Sequence, residues 1–188
     1  MSRPQIVPYS PHWPDAFDAM ARRVRSALGA AALRIDHIGS TAVTGLPAKN
    51  VIDIQVAVAD LGVADALAAA GFRAFPEADC DHRPPGDQSA DSQWGKRLFL
   101  EPAHERRANV HVRVLGNANQ RYALLFRDYL RTHPATADAY AELKRRLAAS
   151  MPDTASYADV KDPAVDLIAL AAEEWAAATD WEPGPSDA

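Results

Sequence analysis

The sequence predicts an α+β fold: a mixed β-sheet in the first half, helices packed against it, and a helical C-terminal third. Three observations predict it. Residues 51–58 set Ile52, Ile54, Val56 and Val58 on one side and Asp53 and Gln55 on the other, the two-residue period of a half-buried strand. An alanine-rich helical run over 60–70, closed by Gly71, leads into a short strand over 72–75, which is compatible with a crossover within a sheet. From Tyr122 onward, apolar residues recur at helical spacing.

Taken in order, the chain opens on Val7-Pro8-Tyr9-Ser10-Pro11-His12-Trp13-Pro14, whose last proline suits the first turn of a helix. That helix is expected to run to about Leu28, burying Phe17, Met20, Ala21, Val24 and Leu28, with Gly29 as its stop. Arg22, Arg23 and Arg25 are left for solvent or an acidic ligand such as a phosphate, the solvated face being the default for surface charge. Leu33, Ile35 and Ile38 then mark a strand. It is joined to the 51–58 strand by a small-residue loop holding Gly39-Ser40-Thr41, Gly45 and Pro47. Such a loop presents backbone N–H groups and two hydroxyls to a ligand, and a phosphate fits that description.

Residues 77–91, EADCDHRPPGDQSAD, have no periodicity and read as a long loop, a candidate lid over the site. Asp79, Cys80, Asp81 and His82 within it also admit a metal-ligand reading, though they are contiguous and lack spaced partners. Strands over 98–100 and 110–114 follow, joined as a hairpin by a polar turn over 102–108. In the second, Val110, Val112 and Val114 face one way, and Asn109, His111 and Arg113 the other. The polar faces of the two key strands suggest one shared cleft holding Asp53, Gln55, His111 and Arg113, the alternative being a hydrated sheet face. Helices are expected around Tyr122, Leu125, Phe126, Tyr129 and Leu130, then from Pro134 through Tyr140, Leu143 and Leu147. A last helix is expected to begin with Asp162 as cap and Pro163 in its first turn, and 181–188 to be a frayed tail.

Composition narrows the function classes. With 188 residues, 48% of them hydrophobic, the chain can bury a full core, and with no repeat or linker evident it reads as one domain over 1–188. A net charge of −5 argues against a general nucleic-acid binder, which needs a basic face. The single cysteine, Cys80, excludes an intrachain disulfide framework. No apolar run approaches the ~20 residues of a membrane span, and the polar start MSRPQIVPYS lacks a signal-peptide core, so a cytoplasmic location is expected.

The run HIGSTAVTGLPAK followed by VIDI resembles the GrpB family, a bacterial family of the nucleotidyltransferase-like superfamily. VPYSPHWPDAF, NVHVRV, FRDYLRTHPATADAYAELKRRLA and the Tyr157-x-x-x-Lys161 pattern extend the resemblance along nearly the whole chain. It implies a nucleotidyltransferase-like sheet, a nucleoside triphosphate held on Gly39, Ser40 and Thr41, and Mg2+ or Mn2+ held by two carboxylates spaced one apart on the following strand. Asp53 matches the first carboxylate. The second position is Gln55, a neutral ligand that holds magnesium less tightly than an acid. His111 lies on the strand expected to carry the superfamily's third acid, and its ordinary pKa suits a general base or a metal ligand. Lys49, Lys96, Arg97, Arg113, Lys144 and Lys161 are candidates for neutralising a polyphosphate, and His37 for touching the loop, either at the ligand or as a hydrogen-bonded structural residue.

Three function classes follow. The first is a transferase moving a nucleotidyl group to a small-molecule acceptor. The second is a non-catalytic nucleotide or coenzyme A-related binder, the latter because some members of the resembled family are fused to dephospho-coenzyme A kinase. The third is an accessory protein. Gln55 separates the first two: in a metal-dependent transferase, Gln55→Glu is expected to strengthen magnesium-dependent nucleotide binding, and in a binder to weaken it.

Overall fold

The computed structural model describes residues 3–188. Of the polar opening over 1–10, residues 1 and 2 lie outside that range. The first helix, α1, spans Trp13–Leu28 and buries the predicted stripe together with Trp13. Strand β1 (Arg34–Ile38) runs antiparallel to β2 (Ile52–Val58), and β2 runs parallel to β5 (Ala108–Val114). Between them in sequence lie the short α2 (Asp65–Ala69) and the two-residue β3 (Arg73–Ala74), then β4 (Arg97–Leu100), which pairs antiparallel with β5. The five-stranded order is β1-β2-β5-β4-β3, a mixed sheet as expected.

Both faces of the sheet are covered. Ile52, Ile54, Val56 and Val58 join Val110, Val112 and Ile35 against α1 and α2 in the main core. The opposite face is covered by α3 (Ala118–Thr132), which packs with α4 (Pro134–Ser150) and α5 (Thr154–Thr179) in a helical C-terminal layer. Because α3 lies over the face carrying Gln55 and Ala57, both are fully buried, and only the Asp53 end of β2 opens outward.

Two expectations for the C-terminal third need correction. The last helix begins at Thr154, where Asp153 caps it by accepting from the Ser156 N–H (2.9 Å), so Pro163 lies inside the helix rather than in its first turn. Nor is the tail frayed. Ser186 Oγ accepts from the Ile35 N–H (2.9 Å), Asp187 Oδ2 accepts from the His37 N–H (2.9 Å), and Gly184 O accepts from Arg34 (2.7 Å). β1 is an edge strand, and an edge leaves a row of unpaired backbone groups that the tail satisfies.

Candidate functional site

The loop after β1 is fixed before any ligand arrives. Gly39 turns it at φ +70°, and a short 3-10 turn over Ser40–Ala42 follows. His37 Nε2 and Thr41 Oγ1 share a hydrogen bond (2.9 Å) while the imidazole stacks on Phe17, with centroids 4.8 Å apart. Burial pushes the His37 pKa down to about 4, so the ring is a neutral structural strut at neutral pH. Arg127 donates to the His37 carbonyl (3.0 Å) and Arg131 to the Ala42 carbonyl (3.0 Å).

Asp53 stands at the open end of β2 against this loop. Its Oδ1 accepts from Asn109 Nδ2 (2.8 Å) and lies 3.7 Å from His111 Nε2, across the β2–β5 pair. Burial raises the Asp53 pKa, but His111, Asn109 and the charge of Lys161 outweigh it and hold the carboxyl below its ordinary value. Burial also lowers the His111 pKa, against the opposing pull of Asp53, which leaves the imidazole neutral at pH 7.

These residues open on a cleft of about 1060 Å³ between the sheet end and the C-terminal helices. Ser40, Thr41, Asp53, Asn109 and Tyr140 line it together with six cationic side chains: Arg3, Lys49, Arg106, Arg107, Lys144 and Lys161. Lys144 Nζ donates to Ser40 Oγ (2.9 Å) and to Pro47 O (2.6 Å) and sits 4.5 Å from the Tyr140 ring centroid. Burial, reinforced by Lys161 and Arg145, lowers its pKa to about 7. Lys49 lies 4.3 Å from the Tyr157 ring centroid, and Lys161 follows Tyr157 by one helical turn on α5. Several cations elsewhere are paired with carboxylates: Arg23 with Glu105, Arg73 with Glu101, Arg97 with Asp65, Arg121 with Glu173. Among the described residues, Arg3, Lys49, Arg106, Arg107 and Lys144 have no carboxylate partner. An acidic protein has set five cations without a carboxylate partner on the wall of this one cleft.

The structure therefore brings together Gly39, Ser40, Thr41, Lys49, Asp53, Lys144 and Lys161, with His111 behind Asp53. It sends others elsewhere, which corrects the expectation of one continuous polar cleft. Gln55 does not stand beside Asp53 as a ligand; its Oε1 accepts from Arg113 (2.6 Å) and its amide donates to the Gln120 carbonyl (3.2 Å) under α3. Arg113 does not face a phosphate; it grips both oxygens of Asp81, which also takes Lys96 (2.7 Å) and Asn119 (3.0 Å). Nor is the 77–91 loop a lid, since Asp81 nails it to the sheet and none of its residues line the cleft. Cys80 is exposed, and among the described residues no three His, Cys, Asp or Glu side chains converge on a metal site.

Sequence reasoning missed Arg3, Asn50, Arg106 and Arg107. Arg107 was findable, since it precedes Asn109 by two and shares its face of the strand. Arg3 enters only because Val7 pairs with Ala48 through two backbone hydrogen bonds (2.9 and 3.1 Å), and no local pattern encodes that pairing.

A five-stranded mixed sheet, a Gly-Ser loop closed over a strand carboxylate and a helical C-terminal third define an α+β domain. The family model described as GrpB protein matches residues 3–170, and the chain belongs to the GrpB family. It is similar to the solved GrpB structure from Enterococcus faecalis, with 30% identity, a TM-score of 0.74, and coverage of 91% of this chain and 99% of that one. It is 39% identical to a Mycobacterium tuberculosis protein named dephospho-CoA kinase over 95% of this chain, which spans only 48% of that protein's length. UPF0157 protein PA4798 from Pseudomonas aeruginosa is 39% identical over 88% of this chain and 66% of its own. Among the described residues no helix is long and apolar enough to cross a membrane.

Proposed function

We propose that the chain binds a nucleoside triphosphate in the cationic cleft and transfers its nucleotidyl group to a small-molecule acceptor. The carrying observation is Asp53, a lone carboxylate held low in pKa, set directly against the Gly39-Ser40 loop and facing six cations. Ser40, Lys144 and Lys161 hold the phosphate tail, where charge-assisted hydrogen bonds are strong. The acceptor oxygen bonds to the α-phosphorus as the bond to the bridging oxygen breaks and pyrophosphate leaves. His111, its pKa lowered by burial, stands behind Asp53 and is the proposed final proton acceptor, the acceptor hydroxyl's proton passing to it by way of the Asp53 carboxylate.

Magnesium or manganese fits this donor set only as an ion that arrives with the phosphates. Magnesium is commonly held by one or two carboxylates plus substrate phosphates, and Asp53 supplies one. Bound there, the ion would neutralise charge on the phosphates. Gln55 favours a second reading, a non-catalytic binder, because its oxygen is committed to Arg113 and leaves Asp53 without a companion.

Isothermal titration with nucleoside triphosphates and coenzyme A precursors, with and without magnesium or manganese, tests both readings. Binding that strengthens with metal and falls about ten-fold or more in Asp53→Asn supports transfer. Binding indifferent to metal and to that substitution supports the binder. No binding by any nucleotide or coenzyme A precursor overturns both.

A further inference from the structure

Of the six cations on the cleft, Lys144 and the pair Arg106 and Arg107 stand on opposite sides of Asp53. In the register of the sheet, Asp53 is paired with Ile38 of β1 on one side and with Asn109 of β5 on the other. Gly39 and Ser40 continue directly from Ile38, so the loop, with Lys144 on its hydroxyl, lies on the β1 side. Arg106 and Arg107 immediately precede β5, and the Arg107 carbonyl accepts from the Ile52 N–H (3.1 Å), placing that pair on the β5 side. Alternation along β5 puts Arg107 on the same face as Asn109, the residue bonded to Asp53. Arg106 is held in place, for it donates to the Asn50 oxygen that also accepts from Trp13 Nε1 (2.9 Å). A triphosphate seated on the loop, with its α-phosphorus at Asp53, reaches that carboxylate from the β1 side. The arginine pair then faces whatever attacks from the other side.

We infer that Arg106 and Arg107 form a second anion subsite and that the acceptor is itself a phosphomonoester. This rests on the nucleotidyl-transfer reading above. Two guanidinium groups with no carboxylate partner match a dianionic phosphate better than a single carboxylate charge. A hydroxyl on the same molecule would lie toward Asp53 and the α-phosphorus, oriented by the anchored phosphate. The Arg pair is a positioning device for the acceptor, while Ser40 and Lys144 hold the donor.

The test uses the full chain with glycerol 3-phosphate as probe, glycerate as its carboxylate counterpart, and an ATP analogue with a methylene between the α- and β-phosphorus. Titration calorimetry should show glycerol 3-phosphate binding in the presence of saturating analogue and manganese. Arg106→Gln/Arg107→Gln should weaken that binding by about ten-fold or more while leaving analogue affinity within about two-fold. Lys144→Met should do the reverse. Parallel loss of both ligands in the double variant would overturn the inference, because the cations would then be one pool of charge. Equal affinity for glycerate would overturn the phosphomonoester assignment. Should the analogue fail to bind while glycerol 3-phosphate binds and is lost in the double variant, the nucleotidyl reading falls and the anion subsite stands.

Discussion

A methyl group added to Gly39 would stand 2.6 Å from Asp53 Oδ2 and 3.1 Å from Asp53 Cβ. The loop glycine and the strand carboxylate are thus in packing contact, with the glycine at φ +70°. Gly39→Ala must displace Asp53 or the loop as well as bear the strain of a left-handed backbone, a cost of about 1–3 kcal/mol. Gly45 supplies the comparison, because it has φ +82° but open space where its side chain would go. Both alanine variants should lower the urea midpoint. Only Gly39→Ala should also abolish metal-dependent nucleotide binding by calorimetry; equal binding in the two variants would show that the contact does not shape the site.

Gln55→Glu should not create a second metal ligand. The Gln55 amide donates to the Gln120 carbonyl beneath α3, and a carboxylate there would set two acceptors against each other at a fully buried position. Its new charge would face Arg113 and compete with Asp81 for it. The expected outcome is a loss of about 1–3 kcal/mol in urea unfolding and no gain in magnesium-dependent binding. A clear rise in metal affinity would show that Gln55 can swing toward Asp53.

Removing residues 184–188 should uncover the outer edge of β1. Asp187 serves both the His37 N–H and Arg127 (2.8 Å), and Arg127 in turn holds the His37 carbonyl that precedes the phosphate loop. The truncated chain should lose about 1–3 kcal/mol, and its Ile35 and His37 amides should exchange much faster with solvent. Unchanged exchange at those two amides would mean that the tail does not cover the edge.

The strand over Ile52–Val58, the hairpin and the α1 stripe were legible because alternation and helical spacing are local signals. What alternation could not convey was depth. It put Asp53 and Gln55 on one face, but whether that face opens to a cleft or lies under a helix depends on where α3 crosses, a contact between residues 55 and 120. Arg113 was misread for the same reason, since its partner Asp81 sits in a loop without periodicity. The tail defeated a rule of thumb about prolines and acids near a terminus, because the deciding fact is the unpaired edge of β1, 150 residues away. Lys144 and Lys161 were reached through the family resemblance and the cations of the chain; helical spacing sets Lys144 in the stripe of Tyr140, Leu143 and Leu147, and its near-complete burial goes against only the general preference of lysine for the surface.

Lys144 gives the sharpest pH prediction. In the ligand-free protein its folded pKa is about 7 against an ordinary value of 10.5, chiefly through burial. In the free protein the unfolded chain holds the extra proton between those values, so this group makes stability rise as pH climbs from about 7 toward 10.5, and contributes a constant penalty below 7. Ligand binding runs the other way. An anion beside Ser40 favours the ammonium form, so above pH 7 the protein must take up a proton to bind a triphosphate, and affinity should decline as pH rises through 7. Calorimetry at pH 8 in two buffers of different ionisation enthalpy should show uptake approaching about one proton. Lys144→Arg, whose guanidinium stays charged, should remove the decline, and Lys144→Met should bind weakly at every pH without that uptake. Comparing the variants cancels the titration of the nucleotide itself. A wild-type affinity that falls above pH 7 by the same factor in both variants would assign the effect to another group.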